Sequence, residues 1–364
     1  MSREQDCFET GRAAFIMLHW MADDDMALRH FDEAVASVMA QTDLNWMLVI
    51  VDDHTGREVP LAHLSEVATA LGPRGRVIYS DRRLGPGLAR NLGIRAAAEL
   101  GAPFILFLDA DDLADPRRLE RTRADFCTGS DVNVVYSSHD FIDEYGRSIP
   151  PEHLAPTVRE AEDGHRNNPV EGEDVWIQIA TRKNYANLTS CTAVRISLAL
   201  AEPFPDAKVS EDAHTWMRYG AHPGRFVFLR DIRSHYRIRT GTQSQSRSRN
   251  PDFYAIKAAM DRDGFEQALV IAARHGRVEE QAAQDIRTRF YVRLALSMLR
   301  GPDIEQAKMC LRDAWAIDPK TAWAALADLE ASEDEKQILL ALIHTHDKTQ
   351  KSCSEVACST LIYD

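Results

Sequence analysis

No apolar run in the chain is long enough to span a bilayer, and residues 1–12 lack the core of a signal peptide, so a cytoplasmic protein is expected. The six cysteines, Cys7, Cys127, Cys191, Cys310, Cys353 and Cys358, show no Cys-x-x-Cys spacing. Neither a thiolate zinc site nor a disulfide framework is therefore indicated. Positive charge is in deficit: 43 Lys and Arg against 56 Asp and Glu give a net charge of -13, which argues against nucleic acid as a partner. The Gly-x-Gly-x-x-Gly of a dinucleotide site and the Gly-Lys-Ser/Thr of a P-loop are both missing. What remains is an ordinary globular composition, 45% hydrophobic and 8% aromatic, in 364 residues, enough for two domains.

The stretch Phe104-Ile105-Leu106-Phe107-Leu108 reads as a strand buried on both faces, and it stops at Asp109, Asp111 and Asp112. Carboxylates crowded at a strand's carboxyl end repel one another, and a hard cation such as Mg²⁺ or Mn²⁺ would relieve them. Capping of the helix that follows is the plainer alternative. Trp46 to Val51 is a second buried strand ending in Asp52-Asp53. If the two strands are neighbours, Asp53 and Asp111 face one crevice.

Strand-like and helix-like segments alternate through the first half, which predicts a parallel sheet covered by helices. Between residues 80 and 91 a loop carrying Arg82, Arg83, Gly85 and Gly87 opens a helix that contains Arg90; helix N-termini and arginines suit anions, although a plain turn with solvated arginines is the simpler reading. Short strands are predicted at 132–136 and 225–229, a hairpin turn at 143–146, and a polar insertion over 150–168. Ser210 reads as the N-cap of a helix whose first turn holds Glu211 and Asp212; such a pair either caps the helix or holds a general base rigidly. Beyond Asp252 the pattern is helical, and residues 307–329 are similar to one tetratricopeptide repeat. The division expected is 1–250, a helical region at 251–347 and a tail at 348–364.

Four motifs follow one another: Val51-Asp52-Asp53, Gly87-Leu88-Ala89-Arg90-Asn91, Phe107 to Asp112, and Glu211-Asp212. With Tyr236-Arg237-Ile238-Arg239, Ser244 and Ser246 after them, they resemble the motif series of family 2 glycosyltransferases of the GT-A fold, over residues 14–248. The resemblance implies an α/β, Rossmann-like mixed sheet flanked by helices, here followed by an all-α C-terminal region. It implies inverting, metal-dependent transfer of a sugar from a nucleotide-sugar donor, expected to be a UDP-sugar, to an acceptor glycan, small molecule or peptide.

By the same resemblance Asp212 is the base, oriented by Glu211, and Asp53 contacts the donor's nucleobase with Asp52 beside it. Asp109 and Asp111 form the metal and ribose motif, with Asp112 a competing ligand for Mn²⁺ or Mg²⁺. Arg83, Arg90, Arg237 and Arg239 are assigned to the donor. The chain departs from the family pattern at Leu18-His19-Trp20-Met21, where relatives usually carry Pro-x-Tyr-Asn, at Arg83, where they often carry Asn, and at Arg239, where they often carry His. A non-catalytic binding protein with a degenerate transferase domain is the alternative. The apolar faces of the C-terminal helices would also suit a homodimer.

Overall fold

The structure, a computed structural model, describes residues 8–20, 24–154, 167–182, 188–238, 252–301 and 303–343, with Arg159, Glu162 and Gly164. Arg239, Ser244, Ser246, the 348–364 tail and about half of the 150–168 insertion lie outside the described residues.

Seven strands form one sheet: β1 (Ala13–His19), β2 (Trp46–Asp52), β3 (Gly75–Tyr79), β4 (Phe104–Asp109), β5 (Val132–Ile142), β6 (Thr192–Arg195) and β7 (Arg225–Arg237), in the order β3-β2-β1-β4-β6-β5-β7. The first four are mutually parallel, while β6 runs antiparallel to both β4 and β5. This is the expected mixed sheet.

The long apolar runs arise because both faces are covered. Phe104, Leu106 and Leu108 pack on one side with Phe15, Leu48 and Ile50, against helices α1 (Asp25–Met39), α2 (Glu58–Leu71) and α4 (Arg118–Thr128). Ile105 and Phe107 point the other way, with Ile16 and Val49, toward α3 (Pro86–Glu99), α5 (Val175–Thr181), α6 (Ile196–Ala201) and α7 (Glu211–Ala221).

That second core continues without a break into the C-terminal helices α8 (Phe253–Arg274), α9 (Glu280–Arg300), α10 (Ile304–Ile317) and α11 (Pro319–Asp328). Phe265 of α8 stacks on Phe290 of α9 at 4.1 Å and meets Trp176 of α5 at 6.2 Å. Arg293 Nε donates to the Ala180 carbonyl at 2.7 Å.

Strands β5 and β7 run to 11 and 13 residues, well past the short segments predicted from sequence. Their second halves are polar, so hydrophobic periodicity does not reveal them. They pair in parallel through a register shift between Ser137 and Ser138 that continues the ladder from Ser138–Arg233 to Ile142–Arg237.

Candidate functional site

Parallel pairing brings the carboxyl ends of β1, β2 and β4 to one edge of the sheet. Strands β2 and β4 are not neighbours, as the sequence left open; β1 stands between them and brings His19. The chain order reverses about β1, which is where open α/β sheets form their ligand crevice.

His19 Nδ1 contacts Asp52 Oδ1 at 2.7 Å, fully buried, and the Thr55 N–H donates to Asp52 Oδ2 at 3.2 Å. Burial alone would raise the Asp52 carboxyl, but these hydrogen bonds hold it below the usual carboxylate range. Asp53 is tied differently. Its two oxygens accept the Leu84 and Gly85 N–H groups at 2.6 and 2.9 Å. The anion seated at the mouth of α3 is thus the chain's own Asp53. Gly85 meets the turn's demand with φ +85°, a left-handed value that favours glycine. On the outer side of this loop the Arg83 guanidinium lies 3.6 Å over the Trp20 ring. Arg83, one departure from the family pattern, therefore stacks on a residue of the 18–21 segment, which is another.

At the end of β4, Asp109 is half-buried, Asp111 exposed and Asp112 buried. Asp112 Oδ1 accepts the Arg237 N–H at 2.8 Å, which fastens the turn to β7. Burial, then the charges of Asp111 and Asp109, push the Asp112 carboxyl well above the usual range. Asp109 and Asp111 are the less buried members of the trio. The Arg237 side chain, assigned from sequence to the donor, is buried and donates to the carbonyls of Asp111 and Asp143 and to Glu33 Oε2, at 2.7, 3.2 and 2.7 Å. In this geometry it braces the acidic turn.

Arg90 likewise faces carboxylates. Its Nη1 donates to Glu211 Oε1 at 2.8 Å and its Nη2 to Asp109 Oδ1 at 3.4 Å, so the third and fourth sequence motifs meet on one buried guanidinium. Burial opposes its charge, but Asp109 and Glu211 outweigh that and hold its proton more tightly than usual. Burial and then Asp212 raise the Glu211 carboxyl against the pull of Arg90. Asp212 is half-exposed beside it, one oxygen accepting the Ala213 N–H at 2.7 Å. The half-buried Tyr236 phenol is pushed up by desolvation and then by Asp112, Asp109, Asp111 and Asp212 together. One neighbourhood therefore contains the β4 turn and the start of α7.

Ser210 corrects a prediction. It precedes α7, but at φ 62° and ψ 19° its hydroxyl makes no cap bond to the helix. Its Oγ instead donates to Asp261 Oδ1 on α8 at 2.6 Å. The left-handed backbone turns the side chain toward the C-terminal helices, which sequence could not foresee. Other contributors missed from sequence are His19, Thr55, Glu33 and Ser190, whose Oγ accepts the Asp109 N–H at 2.9 Å. Only His19, a polar residue ending an apolar strand, carried a local signal.

The family model for glycosyl transferase family 2 matches residues 30–185. The chain is 36% identical over 118 residues to the succinoglycan biosynthesis protein ExoO of Rhizobium meliloti, covering 32% of this chain and 31% of that protein. It is 30% identical over 121 residues to an uncharacterized glycosyltransferase of Methanocaldococcus jannaschii, covering 33% of this chain and 40% of that protein. The matches thus span about a third of those relatives' length. Among solved structures, S. aureus TarS 1–349 in complex with UDP-GlcNAc is similar with a TM-score of 0.61 at 17% identity, over 93% of this chain and 92% of that one. A Pyrobaculum calidifontis mannosyltransferase in complex with GDP-Man and Mn²⁺ gives a TM-score of 0.50 at 14% identity, covering 91% and 86%. These likenesses establish the GT-A fold, and no described helix is long and apolar enough to cross a membrane.

Proposed function

From the premise that residues 30–185 form a family 2 glycosyltransferase domain, we propose that the chain transfers a sugar from a UDP-sugar to an acceptor nucleophile with inversion. The observation that carries the reading is Arg90, which joins Asp109 of the β4 turn to Glu211 beside Asp212. It puts a candidate phosphate and metal site next to a candidate base.

The nucleobase end of the donor is assigned to the loop held by Asp53, with Trp20 and Arg83 offering a stacked aromatic and guanidinium face. Asp53 retains lone pairs beyond the two loop bonds. Among the described residues no three His, Cys, Asp or Glu side chains already form a metal cage. Mg²⁺ and Mn²⁺ bound with a nucleotide do not need one, because one or two carboxylates suffice and phosphates and waters complete the shell. Asp109 and Asp111 fit that role, and the crowding that raises Asp112 is the field a cation would relieve. When bound, the ion would neutralise charge developing on the leaving diphosphate.

The chain's own residues do the rest. Asp212 accepts the acceptor's proton as its oxygen attacks the sugar carbon from the face opposite the diphosphate; one carbon–oxygen bond forms as the sugar–phosphate bond breaks. A positioned base contributes about 10²–10⁴-fold. Arg90 holds Glu211 fixed beside it.

The test is release of UDP from UDP-sugars with Mn²⁺ by wild type and Asp212→Asn, alongside a thermal-shift screen of UDP-, GDP- and dTDP-sugars. Loss of turnover with retained UDP binding supports the base; wild-type turnover in Asp212→Asn refutes it. Binding without any turnover in the wild type would favour the non-catalytic alternative. A cytoplasmic location is part of the proposal. So is a homodimer, for which Val270, Ile304, Trp323 and Ile338 offer exposed apolar surface, and molar mass in solution decides it.

A further inference from the structure

Residue 210 is one of three described non-glycine residues with positive φ, the others being His54 and Asp174. A left-handed conformation is strained for a serine, so something must hold it. What holds it is on α8. Asp261 is 2% exposed and accepts the Ser210 hydroxyl through one oxygen at 2.6 Å. Its other oxygen accepts Lys257 Nζ, also at 2.6 Å. The grip extends one turn along α7: His214 Nε2 meets Asp263 Oδ2 at 2.8 Å, and a Cβ on Gly264 would stand only 2.7 Å from His214 Cα. Two helices in such close contact leave the start of α7 little freedom.

We propose that Asp261 is a positioning residue for the Glu211–Asp212 turn. By fixing the Ser210 hydroxyl it sets the backbone angle at which the chain enters α7, and with it the direction of the Asp212 carboxylate. The C-terminal helices are thereby part of the transfer machinery rather than an appended platform. This rests on the reading of Asp212 as the base. The effect is one of geometry: displacement by about 1 Å can reduce an enzymatic rate about 10²-fold.

The variants are made in the full chain. Ser210→Gly relieves the left-handed strain but leaves one buried Asp261 oxygen without its donor; the two effects oppose each other, so its melting temperature is expected close to the wild type's. Turnover of UDP-GlcNAc with Mn²⁺ is nevertheless expected to fall about ten-fold with KM within about two-fold, because orientation and not binding is lost. Asp261→Ala should lose at least as much, and Asp261→Asn, whose side-chain oxygen still accepts the hydroxyl, should recover most of it.

Hydrogen exchange of the amides of residues 211–215, read without substrate and so independent of the sugar, should quicken in Ser210→Gly and Asp261→Ala. Wild-type turnover or wild-type exchange in Ser210→Gly overturns the proposal. If Asp212→Asn is inactive while Ser210→Gly is not, this inference alone fails; if Asp212→Asn is active, the base assignment fails.

Discussion

Arg90 and Glu211 form a buried ion pair at 2.8 Å, and the same guanidinium reaches Asp109 at 3.4 Å. Replacing Arg90 by Met leaves Glu211 in a low-dielectric site without its counter-charge. Breaking a buried pair in this way costs about 3–5 kcal/mol. Urea unfolding should show the midpoint of Arg90→Met falling with an unchanged slope, and UDP-sugar turnover should be lost. A wild-type midpoint would mean the pair is not formed.

Gly87, on the first turn of α3, lets that helix approach the chain leading to α7. A Cβ there would stand 2.5 Å from the Pro205 carbonyl oxygen and 3.5 Å from Glu211 Cβ. Gly87→Ala must push the two segments apart, at about 1–3 kcal/mol. Thermal melting should record that loss and turnover should drop with it. Full stability together with full turnover would contradict the packing.

Asp53 accepts two backbone N–H groups, so Asp53→Asn turns an amide donor toward one of them. An unsatisfied buried donor costs about 1–3 kcal/mol. Titration calorimetry with UDP and Mn²⁺ should show at least about ten-fold weaker binding, the loop being released from the nucleobase side. Affinity equal to wild type would exclude Asp53 as the organiser of that loop.

Glu335 supplies a pH prediction away from the cleft. Its carboxylate takes Arg300 Nε at 2.7 Å and the Ser332 N–H at 2.8 Å, while Ser332 Oγ accepts the Glu335 N–H at 3.2 Å. This reciprocal cap starts the last described helical stretch, 333–343. The bond to Arg300 leads in lowering its pKa from 4.5 to about 2. A depressed folded-state pKa gives stability that is present above 4.5 and lost as pH falls toward 2. Solvent screening at this partly open pair reduces the contribution to about 1 kcal/mol. Glu335→Gln should be less stable than wild type at pH 7, and the gap should close by pH about 2. A gap independent of pH would show that the carboxylate's charge is not involved.

How much could be read in advance follows the physics of each signal. The strands β2 and β4 were legible as unbroken apolar runs of strand length, and the C-terminal helices because apolar residues recur at helical spacing. The carboxylates ending β2 and β4 and opening α7 were legible as candidate site residues, because charge at the edge of an apolar run is conspicuous. The far halves of β5 and β7 were hidden, since Ser137 to Asp140 and Arg230 to Ser234 carry no apolar alternation. Partnerships were hidden as well. Nothing local distinguishes an Arg237 that braces Asp111 and Asp112 from one that faces a phosphate, or a Ser210 bonded to Asp261 from an ordinary cap. The spacing of Ser332 and Glu335 is a readable cap signal ahead of the last described helical stretch.

The most direct test is the structure of the chain crystallised with UDP and Mn²⁺. The account predicts the uracil against the loop held by Asp53, the ion beside Asp109 and Asp111, and Asp212 facing the diphosphate end across Arg90. Nucleotide bound elsewhere, or an empty cleft at saturating UDP and Mn²⁺, would contradict it.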